Sequence, residues 1–173
     1  MKRSKIKIYL ASPYGFTSAG REFMKNTMIP AISRKEFYIL NPWDSFDFAL
    51  KQIMKISSIS HIRKQFKFLR TMNENIAANN LKMLNQADIV IAVLDGSDVD
   101  SGVASEIGYA QANNKIIIGY RSDFRLSGDN LAAQVNLQVE HFIDESGGII
   151  VNKIKDLQEN LKKQSLLLMK RTK

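Results

Sequence analysis

The chain has 173 residues, of which 45% are apolar and 24% are charged. This length and composition predict one globular domain, residues 1–173, with enough chain for a sizeable core. Cysteine is absent, which excludes disulfides and thiolate metal sites. No apolar run approaches the roughly 20 residues of a membrane span, and residues 1–5 lead into a short strand rather than a signal-peptide core. We therefore expect a cytoplasmic protein with no membrane partner.

Positive charge dominates the chain, whose formal net charge is +8. Much of the excess is dispersed, and two clusters stand out at residues 61–70 and 162–173. Charges in the first cluster alternate with apolar residues at helical spacing, which is typical of a solvated helix face. We interpret both clusters as exposed faces and expect no nucleic-acid partner, while attraction of anionic ligands or of nucleic acid remains the alternative.

Strand and helix patterns alternate along the chain. Short apolar or β-branched runs predict strands, and apolar residues three and four apart predict helices. Pro30 is expected to kink or end the first helix. In chain order we predict strand 5–11, helix 17–33, strand 36–40, a less regular segment 44–60, helix 61–86 in one or two pieces, strand 89–94, helix 102–113, strand 115–120, a long polar loop 121–135, strand 149–151 and a basic C-terminal helix 153–173.

This alternation predicts an α/β fold, a parallel sheet with helices on both faces. Ligands of such sheets bind at the carboxyl ends of the strands, where the strand order reverses. If the order is 2-1-3-4-5, that crevice lies between strands one and three. The loop after strand one then meets the turn after strand three, and it supplies the predicted substrate-binding residues Ala11, Ser12, Pro13 and Phe16.

Residues 87–110 run a buried strand into an acidic turn and then into a helix that carries one glutamate. Residues 89–94 are unbroken apolar, as expected of a central parallel strand. Glu106 falls about one turn inside the helix, with Gly102 four residues before it on the same face. A residue as small as Gly102 leaves room for a ligand above the carboxylate, so this block predicts an active-site loop.

Other sites explain the same block less well. A lone glutamate on a helix is usually solvent-facing, so Glu106 needs further support. An EF-hand counted from Asp95 places Glu106 correctly, but Val99 and Asp100 stand where a polar ligand and a glycine are required. A phosphate loop would need more glycines and a lysine. His61 and His141 have no serine or cysteine motif beside them that would indicate a nucleophilic triad. We also expect no metal site.

Three segments together resemble the nucleoside 2-deoxyribosyltransferase family. They are KIYLASPYGF at residues 7–16, residues 88–110 with DSGVASEIGYA at 100–110, and VNL at 135–137. The resemblance covers residues 5–157, and its central block is the most specific part. It implies a flavodoxin-like doubly wound five-stranded sheet of order 2-1-3-4-5 and a homo-oligomer with shared active sites. It also implies exchange of the nucleobase on 2′-deoxyribonucleosides without a cofactor.

The resemblance also assigns roles to single residues. Glu106 matches the family's nucleophile, and Tyr9 matches the tyrosine whose hydroxyl positions that carboxylate. Asp100 matches the acidic residue that binds the deoxyribose hydroxyls. Asn136 matches the asparagine that reaches a neighbouring subunit's site to hold the sugar 5′-hydroxyl.

One position departs from the family pattern. Asn80 stands where many members carry an aspartate that handles protons on the nucleobase. An amide both donates and accepts hydrogen bonds but is not a general acid. Asp95 or Asp98 is therefore a candidate for supplying or positioning the missing acid.

The chemistry implied is a retaining double displacement. A carboxylate attacks the anomeric carbon, a covalent glycosyl-enzyme forms, and a second nucleobase resolves it with net retention. Two alternatives stay open. The same glutamate serves a hydrolase of nucleosides or nucleoside 5′-monophosphates, for which Ser12, Ser101 and Arg21 are candidate phosphate donors. A non-catalytic nucleotide-sensing domain of the same fold is the other alternative.

Overall fold

The computed structural model describes residues 5–171, apart from the side chains of residues 46–49 and 171. Five strands form one sheet, all neighbouring pairs are parallel, and the strand order is 2-1-3-4-5. The predicted doubly wound sheet is therefore confirmed. The strands are β1 (Ile6–Ala11), β2 (Phe37–Leu40), β3 (Ile89–Val93), β4 (Ile116–Tyr120) and β5 (Ile149–Val151).

The helices connect the strands in the expected alternation, with two additions. The helices are α1 (Ser18–Phe23), α2 (Ile29–Ile32), α3 (Phe46–Met54), α4 (Ile62–Gln86), α5 (Ser101–Ala112), α6 (Leu137–Glu145) and α7 (Ile154–Arg171). Helix α3 lies in the segment 44–60 that we predicted to be less regular, so that prediction was wrong in part. Helix α6 follows the long polar loop and was not predicted. Residues 61–86 form one helix rather than two.

Pro30 does not end its helix. Helix α1 passes through a π-helical turn, Met24–Met28, into α2, which extends to Ile32. A proline inside a helix removes one N–H donor and crowds the carbonyl four residues earlier. The wider turn directly before Pro30 is a usual form of such a distortion.

The alternation of side chains along β1 divides the core into two layers. Ile8 and Leu10 pack on the face covered by α1, α2 and α7, with Met28, Ile32 and Leu157. Tyr9 and Ala11 point to the opposite face, which is covered by α4, α5 and α6 and contains Leu84, Ile107 and Ile143. Because a strand has a period of two, Tyr9 must lie on the α5 side of the sheet.

The register places the two predicted loops together. Tyr9 pairs with Val90 and Ala11 with Ala92, so β1 and β3 end side by side. The loop after β1 and the acidic turn after β3 therefore share one edge of the sheet, at the reversal of strand order. Within residues 5–171, no helix combines the length and the apolar character needed to cross a membrane.

Candidate active site

Tyr9 and Glu106 meet at the carboxyl edge of the sheet. The Tyr9 hydroxyl donates a hydrogen bond of 2.5 Å to Oε1 of Glu106. Tyr9 lies on β1 and is fully buried, whereas Glu106 lies on α5 and is half-buried. The two residues are 97 positions apart in the sequence, and the parallel pairing of β1 with β3 brings them together.

Burial controls the protonation of this pair. Loss of solvation raises the pKa of Tyr9 far above its ordinary value, and the neighbouring Glu106 raises it further. The phenol therefore stays protonated and acts as a donor. Burial also raises the pKa of Glu106, the hydrogen bond from Tyr9 lowers it, and the nearby Asp100 raises it again.

Asp100 both starts helix α5 and lines the site. Its Oδ1 accepts hydrogen bonds from the N–H groups of Gly102 (2.9 Å) and Val103 (3.1 Å), as an N-cap residue does. A Cβ added at Gly102 would lie 3.0 Å from that oxygen. The cap uses one carboxylate oxygen, and Asp100 lines the same cavity as Glu106.

A cavity of about 140 Å³ opens above Glu106. Its walls come from four parts of the chain: the loops after β1 and β2, helix α4 and the start of α5. The lining residues are Ser12, Phe16, Pro42, Trp43, Asn80, Asp100, Gly102, Val103 and Glu106. A second space of about 320 Å³ runs from Glu106 between α4 and α5. The structure thus brings together Ser12, Phe16, Asn80, Asp100, Gly102 and Glu106 from the predicted site.

An aromatic wall closes one side of this cavity. The rings of Phe16 and Trp43 meet edge to face with centroids 4.8 Å apart. The indole N–H of Trp43 donates to the carbonyl oxygen of Ser12 at 2.9 Å. A Cβ at Gly15 would lie 1.8 Å from the indole ring, so only glycine allows the loop to pass beneath it.

Sequence reasoning missed Pro42 and Trp43 as site residues. Both follow β2, which lies beside β1 and ends at the same edge of the sheet. The position directly after strand two and the presence of the chain's one tryptophan were available indications.

Asn80 approaches the site from helix α4. Its side chain is partly buried and lines the cavity next to Glu106 and Asp100. Asn80 also lines the space between α4 and α5 and a third one beside α3. Asn80 therefore stands where three spaces meet, opposite the acidic turn.

Asp95 joins two loops instead of lining the cavity. Its carboxylate accepts hydrogen bonds from the hydroxyls of Tyr14 and Ser122 and from the N–H groups of Ser122 (2.6 Å) and Asp123 (2.9 Å). Asp98 is exposed and accepts a bond from the N–H of Val99. Neither Asp95 nor Asp98 is among the described residues that line the cavity.

Ala11 and Pro13 shape the site from behind. Ala11 is fully buried at the end of β1, and Pro13 is the first residue of the short 3-10 helix Pro13–Phe16 that carries Phe16. Neither is among the described lining residues. In this structure Ala11 and Pro13 set the backbone path of the loop after β1.

Asn136 begins helix α6. Its Oδ1 accepts from the N–H groups of Gln138 (3.0 Å) and Val139 (3.4 Å), which makes it the N-cap. The side-chain amide N–H₂ is not needed for the cap. Within one chain, Asn136 is not among the described residues that line the Glu106 cavity.

Residues 5–171 also contain no group of three or more His, Asp or Glu able to hold a metal ion.

Comparison with known proteins gives matches of two kinds. A family model described as nucleoside 2-deoxyribosyltransferase matches residues 8–153. Among solved structures, a conserved protein from Enterococcus faecalis V583 is 23% identical, with a TM-score of 0.65 over 93% of this chain and 99% of that chain. No curated protein resembles the chain closely enough to count as a match.

Two further solved structures share the fold. A 2-deoxyribosyltransferase from Bacillus psychrosaccharolyticus is 19% identical, with a TM-score of 0.57 over 88% of this chain and 90% of that chain. A CMP N-glycosidase from Clostridium botulinum is 16% identical, with a TM-score of 0.53 over 90% of this chain and 98% of that chain. At these identities the likeness establishes the flavodoxin-like fold, while the family model spans most of the sequence. The chain therefore belongs to the nucleoside 2-deoxyribosyltransferase family, whose members are enzymes that act on nucleosides.

Proposed function

We propose that the chain transfers the 2-deoxyribosyl group of 2′-deoxyribonucleosides between nucleobases, with Glu106 as nucleophile. The observation that carries this proposal is the Tyr9–Glu106 pair at the base of a cavity with an aromatic wall. Displacement at an anomeric carbon needs an oriented carboxylate, and a nucleobase needs flat apolar surface. Both requirements are met within one small space, and the scheme uses no cofactor.

In the first step, Glu106 forms a bond to C1′ of the sugar as the C1′–N bond breaks. Tyr9 holds Oε1 of Glu106, which leaves Oε2 for the attack. The bonding electrons depart with the base, which then takes a proton from water. Asp100 has one oxygen outside its helix cap, and in this scheme that oxygen accepts a hydrogen bond from a sugar hydroxyl.

The base lies against the Phe16–Trp43 wall in this scheme, with its edge toward Asn80. The Asn80 amide donates to a ring nitrogen or carbonyl and so stabilises the negative charge that develops on the leaving base. An amide cannot transfer the proton itself. Asn80 therefore acts through hydrogen bonding, and the proton comes from solvent.

In the second step, an acceptor base attacks C1′ from the face opposite Glu106. The C1′–O bond breaks, the Glu106 carboxylate is regenerated, and the acceptor releases a proton to solvent. Two inversions at C1′ give net retention. Water competes with the acceptor for the same intermediate, so a site that excludes water favours transfer over hydrolysis.

The direct test is incubation of the protein with 2′-deoxyinosine, with and without adenine, followed by chromatography. We expect 2′-deoxyadenosine and hypoxanthine when adenine is present. Glu106→Gln should lose roughly a thousandfold or more in rate because the covalent route is removed. Glu159→Gln, a substitution of an exposed glutamate on α7, is the matched control and should retain the rate.

Formation of free deoxyribose at the same rate with and without adenine, with no new nucleoside, would make the protein a hydrolase that uses the same first step. Near-normal exchange by Glu106→Gln would remove the proposed nucleophile. Turnover of neither kind, with any 2′-deoxyribonucleoside, would favour a binding domain instead.

A further inference from the structure

The position of the Trp43 indole depends on the backbone of the loop after β1. Its ring N–H donates to the carbonyl oxygen of Ser12 at 2.9 Å. The ring lies directly over Gly15, where an added Cβ would come within 1.8 Å of it. The next residue, Phe16, meets the indole edge to face. A shift of residues 12–16 therefore moves the whole aromatic wall.

Helix α1 packs directly against this loop. A Cβ added at Gly20 would lie 2.3 Å from the carbonyl oxygen of Tyr14, so the first turn of the helix touches the loop backbone. The hydroxyl of Thr17 accepts a hydrogen bond of 3.0 Å from the N–H of Gly20 and caps the same turn. The start of the helix therefore has a fixed place beside the loop.

Arg21, the residue after Gly20, connects this helix to the backbone beneath the indole. Its Nη1 donates a hydrogen bond of 2.7 Å to the carbonyl oxygen of Gly15. Gly15 is buried, where a hydrogen bond is stronger than it would be in water. A bond from a charged donor is also shorter and stronger than a neutral one. Arg21 thus fixes the residue over which the indole lies.

Arg21 lies outside the cavity at Glu106. It is not among the described residues that line that cavity. It borders, together with Trp43 and Lys25, a separate space of about 370 Å³. The sequence offered Arg21 as a candidate phosphate donor for a hydrolase. From its place in the structure, Arg21 affects a nucleoside bound at Glu106 through the aromatic wall rather than by contact.

We propose that Arg21 is a positioning residue for the nucleobase. Through Gly15 it keeps the indole of Trp43 where it can stack on a base whose sugar lies at Glu106. This inference rests on the proposed function, which places the base against the Phe16–Trp43 wall. No bond of the substrate forms or breaks at Arg21, so its loss weakens binding of the base and leaves the chemical step intact.

Steady-state kinetics of Arg21→Gln and Arg21→Met test this role. Both variants remove the charged donor, and methionine keeps an unbranched apolar stem, so the test does not depend on one variant folding. We expect each to raise KM for 2′-deoxyinosine and for adenine roughly tenfold with kcat nearly unchanged, because the wall contacts the base equally before and during the reaction. Arg21→Lys keeps a charged donor and should restore most of the loss. Lys25→Gln removes a positive charge from the same space and is the matched control, with the wild-type KM.

Fluorescence gives a second measurement that needs no turnover. Trp43 is the chain's one tryptophan, so the intrinsic emission reports on the wall directly. In the folded Arg21→Gln and Arg21→Met proteins we expect emission at longer wavelength and stronger quenching by acrylamide than in the wild type. Lys25→Gln should show neither change. A contribution of Arg21 to overall stability alone would lower the melting temperature without altering the emission of the folded state.

Wild-type KM values or unchanged emission in the folded Arg21 variants overturn the inference, and so does an equal effect in Lys25→Gln. A fall in kcat with unchanged KM also overturns it, because Arg21 would then act on the reaction itself. Failure of both Arg21→Gln and Arg21→Met to fold would do the same, because the fold as a whole would then require Arg21. The proposed function fails separately if the wild-type protein exchanges no base. The emission of Trp43 then still decides whether Arg21 fixes the wall.

Discussion

At the scale of single residues, the half-buried carboxylate of Glu106 is needed in its ionised form for the proposed reaction, although that form lowers the stability of the fold. Burial raises its pKa above the ordinary 4.5, so folding favours the protonated form. Its contribution to stability is therefore present below pH 4.5 and is lost as the pH rises through the pKa of the folded protein. The ionised form that the reaction needs is the one that folding disfavours.

Glu106→Gln should therefore stabilise the protein at neutral pH. Glutamine keeps an oxygen for the Tyr9 hydroxyl and removes the desolvated charge. We expect a higher melting temperature than the wild type at pH 7 and a difference that shrinks as the pH approaches 4. Thermal unfolding followed by circular dichroism across this range is the measurement. A variant less stable than the wild type at pH 7 would show that the charge is better compensated than its surroundings suggest.

Tyr9→Phe should change the pH dependence of the reaction. The hydrogen bond from Tyr9 lowers the pKa of Glu106, so its removal raises that pKa. Because activity requires the carboxylate, the acid limb of the rate profile should move to higher pH. A hydrogen bond to a charged group contributes about 1.5–3 kcal/mol, which corresponds to roughly a tenfold to hundredfold loss of rate at neutral pH. Tyr109→Phe removes an exposed hydroxyl on the same helix as Glu106 and is the control. If the acid limb of the rate profile stays at the same pH in Tyr9→Phe, the proposed role of Tyr9 is contradicted.

At the scale of elements, Asp95 connects the loop that carries Phe16 to the loop after β4. Asp95→Asn should loosen both, because the amide oxygen can keep the N–H groups of Ser122 and Asp123, whereas the N–H₂ that replaces Oδ2 cannot accept from the hydroxyls of Tyr14 and Ser122. Donors left unpaired cost about 1–3 kcal/mol. We expect that loss of stability and a KM raised more than kcat is lowered. Steady-state kinetics and denaturant unfolding measure these two effects, and Asp98→Asn, at an exposed aspartate, is the control. A large fall in kcat with an unchanged KM would instead make Asp95 a catalytic residue.

The sheet could be predicted from the sequence because unbroken apolar strands alternate with helices. The pairing of Tyr9 with Glu106 was predicted from the family resemblance, since no local pattern links two residues 97 positions apart. Helix α3 was not predicted although Leu50, Ile53 and Met54 recur three and four positions apart, and in the structure these apolar side chains are exposed instead of facing the core. Helix α6 has only nine residues and follows a polar loop.

The inner wall of the site depends on long-range contacts that no local pattern records. Trp43 meets Phe16 only after β2 pairs with β1. The role of Asp95 likewise depends on the loop after β4, which brings Ser122 within hydrogen-bond distance of it. The sequence offered Asp95 as a candidate for the missing acid, and the fold shows that it is not among the described residues lining the cavity that Asp100 lines.

At the scale of the whole molecule, we propose that the protein assembles into a homo-oligomer whose sites are completed by Asn136 of a neighbour. The loop before Asn136 carries Phe124, Leu126 and Leu131, whose exposed fractions are 94%, 71% and 95%. Exposed apolar side chains on one loop are typical of a contact surface. The cap uses Oδ1 of Asn136 and leaves its amide N–H₂ to donate to a sugar hydroxyl.

Asn136→Asp separates the two roles of this residue. Aspartate caps a helix as well as asparagine but has no N–H₂ to donate. We expect unchanged stability and weaker nucleoside binding, whereas Asn136→Ala should also lose about 1 kcal/mol of stability. Calorimetry and thermal unfolding measure both effects, and light scattering measures the assembly. Normal binding by Asn136→Asp, or an active monomer, would contradict the shared site.

The proposed mechanism depends on a covalent intermediate at Glu106. Mixing the protein with 2′-deoxyinosine in the absence of acceptor, quenching in acid and mapping peptides by mass spectrometry should locate a deoxyribosyl group on Glu106. The adduct should disappear when adenine is added before the quench, with 2′-deoxyadenosine formed in its place. An adduct on any other residue, or exchange at the wild-type rate by Glu106→Gln, would contradict this mechanism.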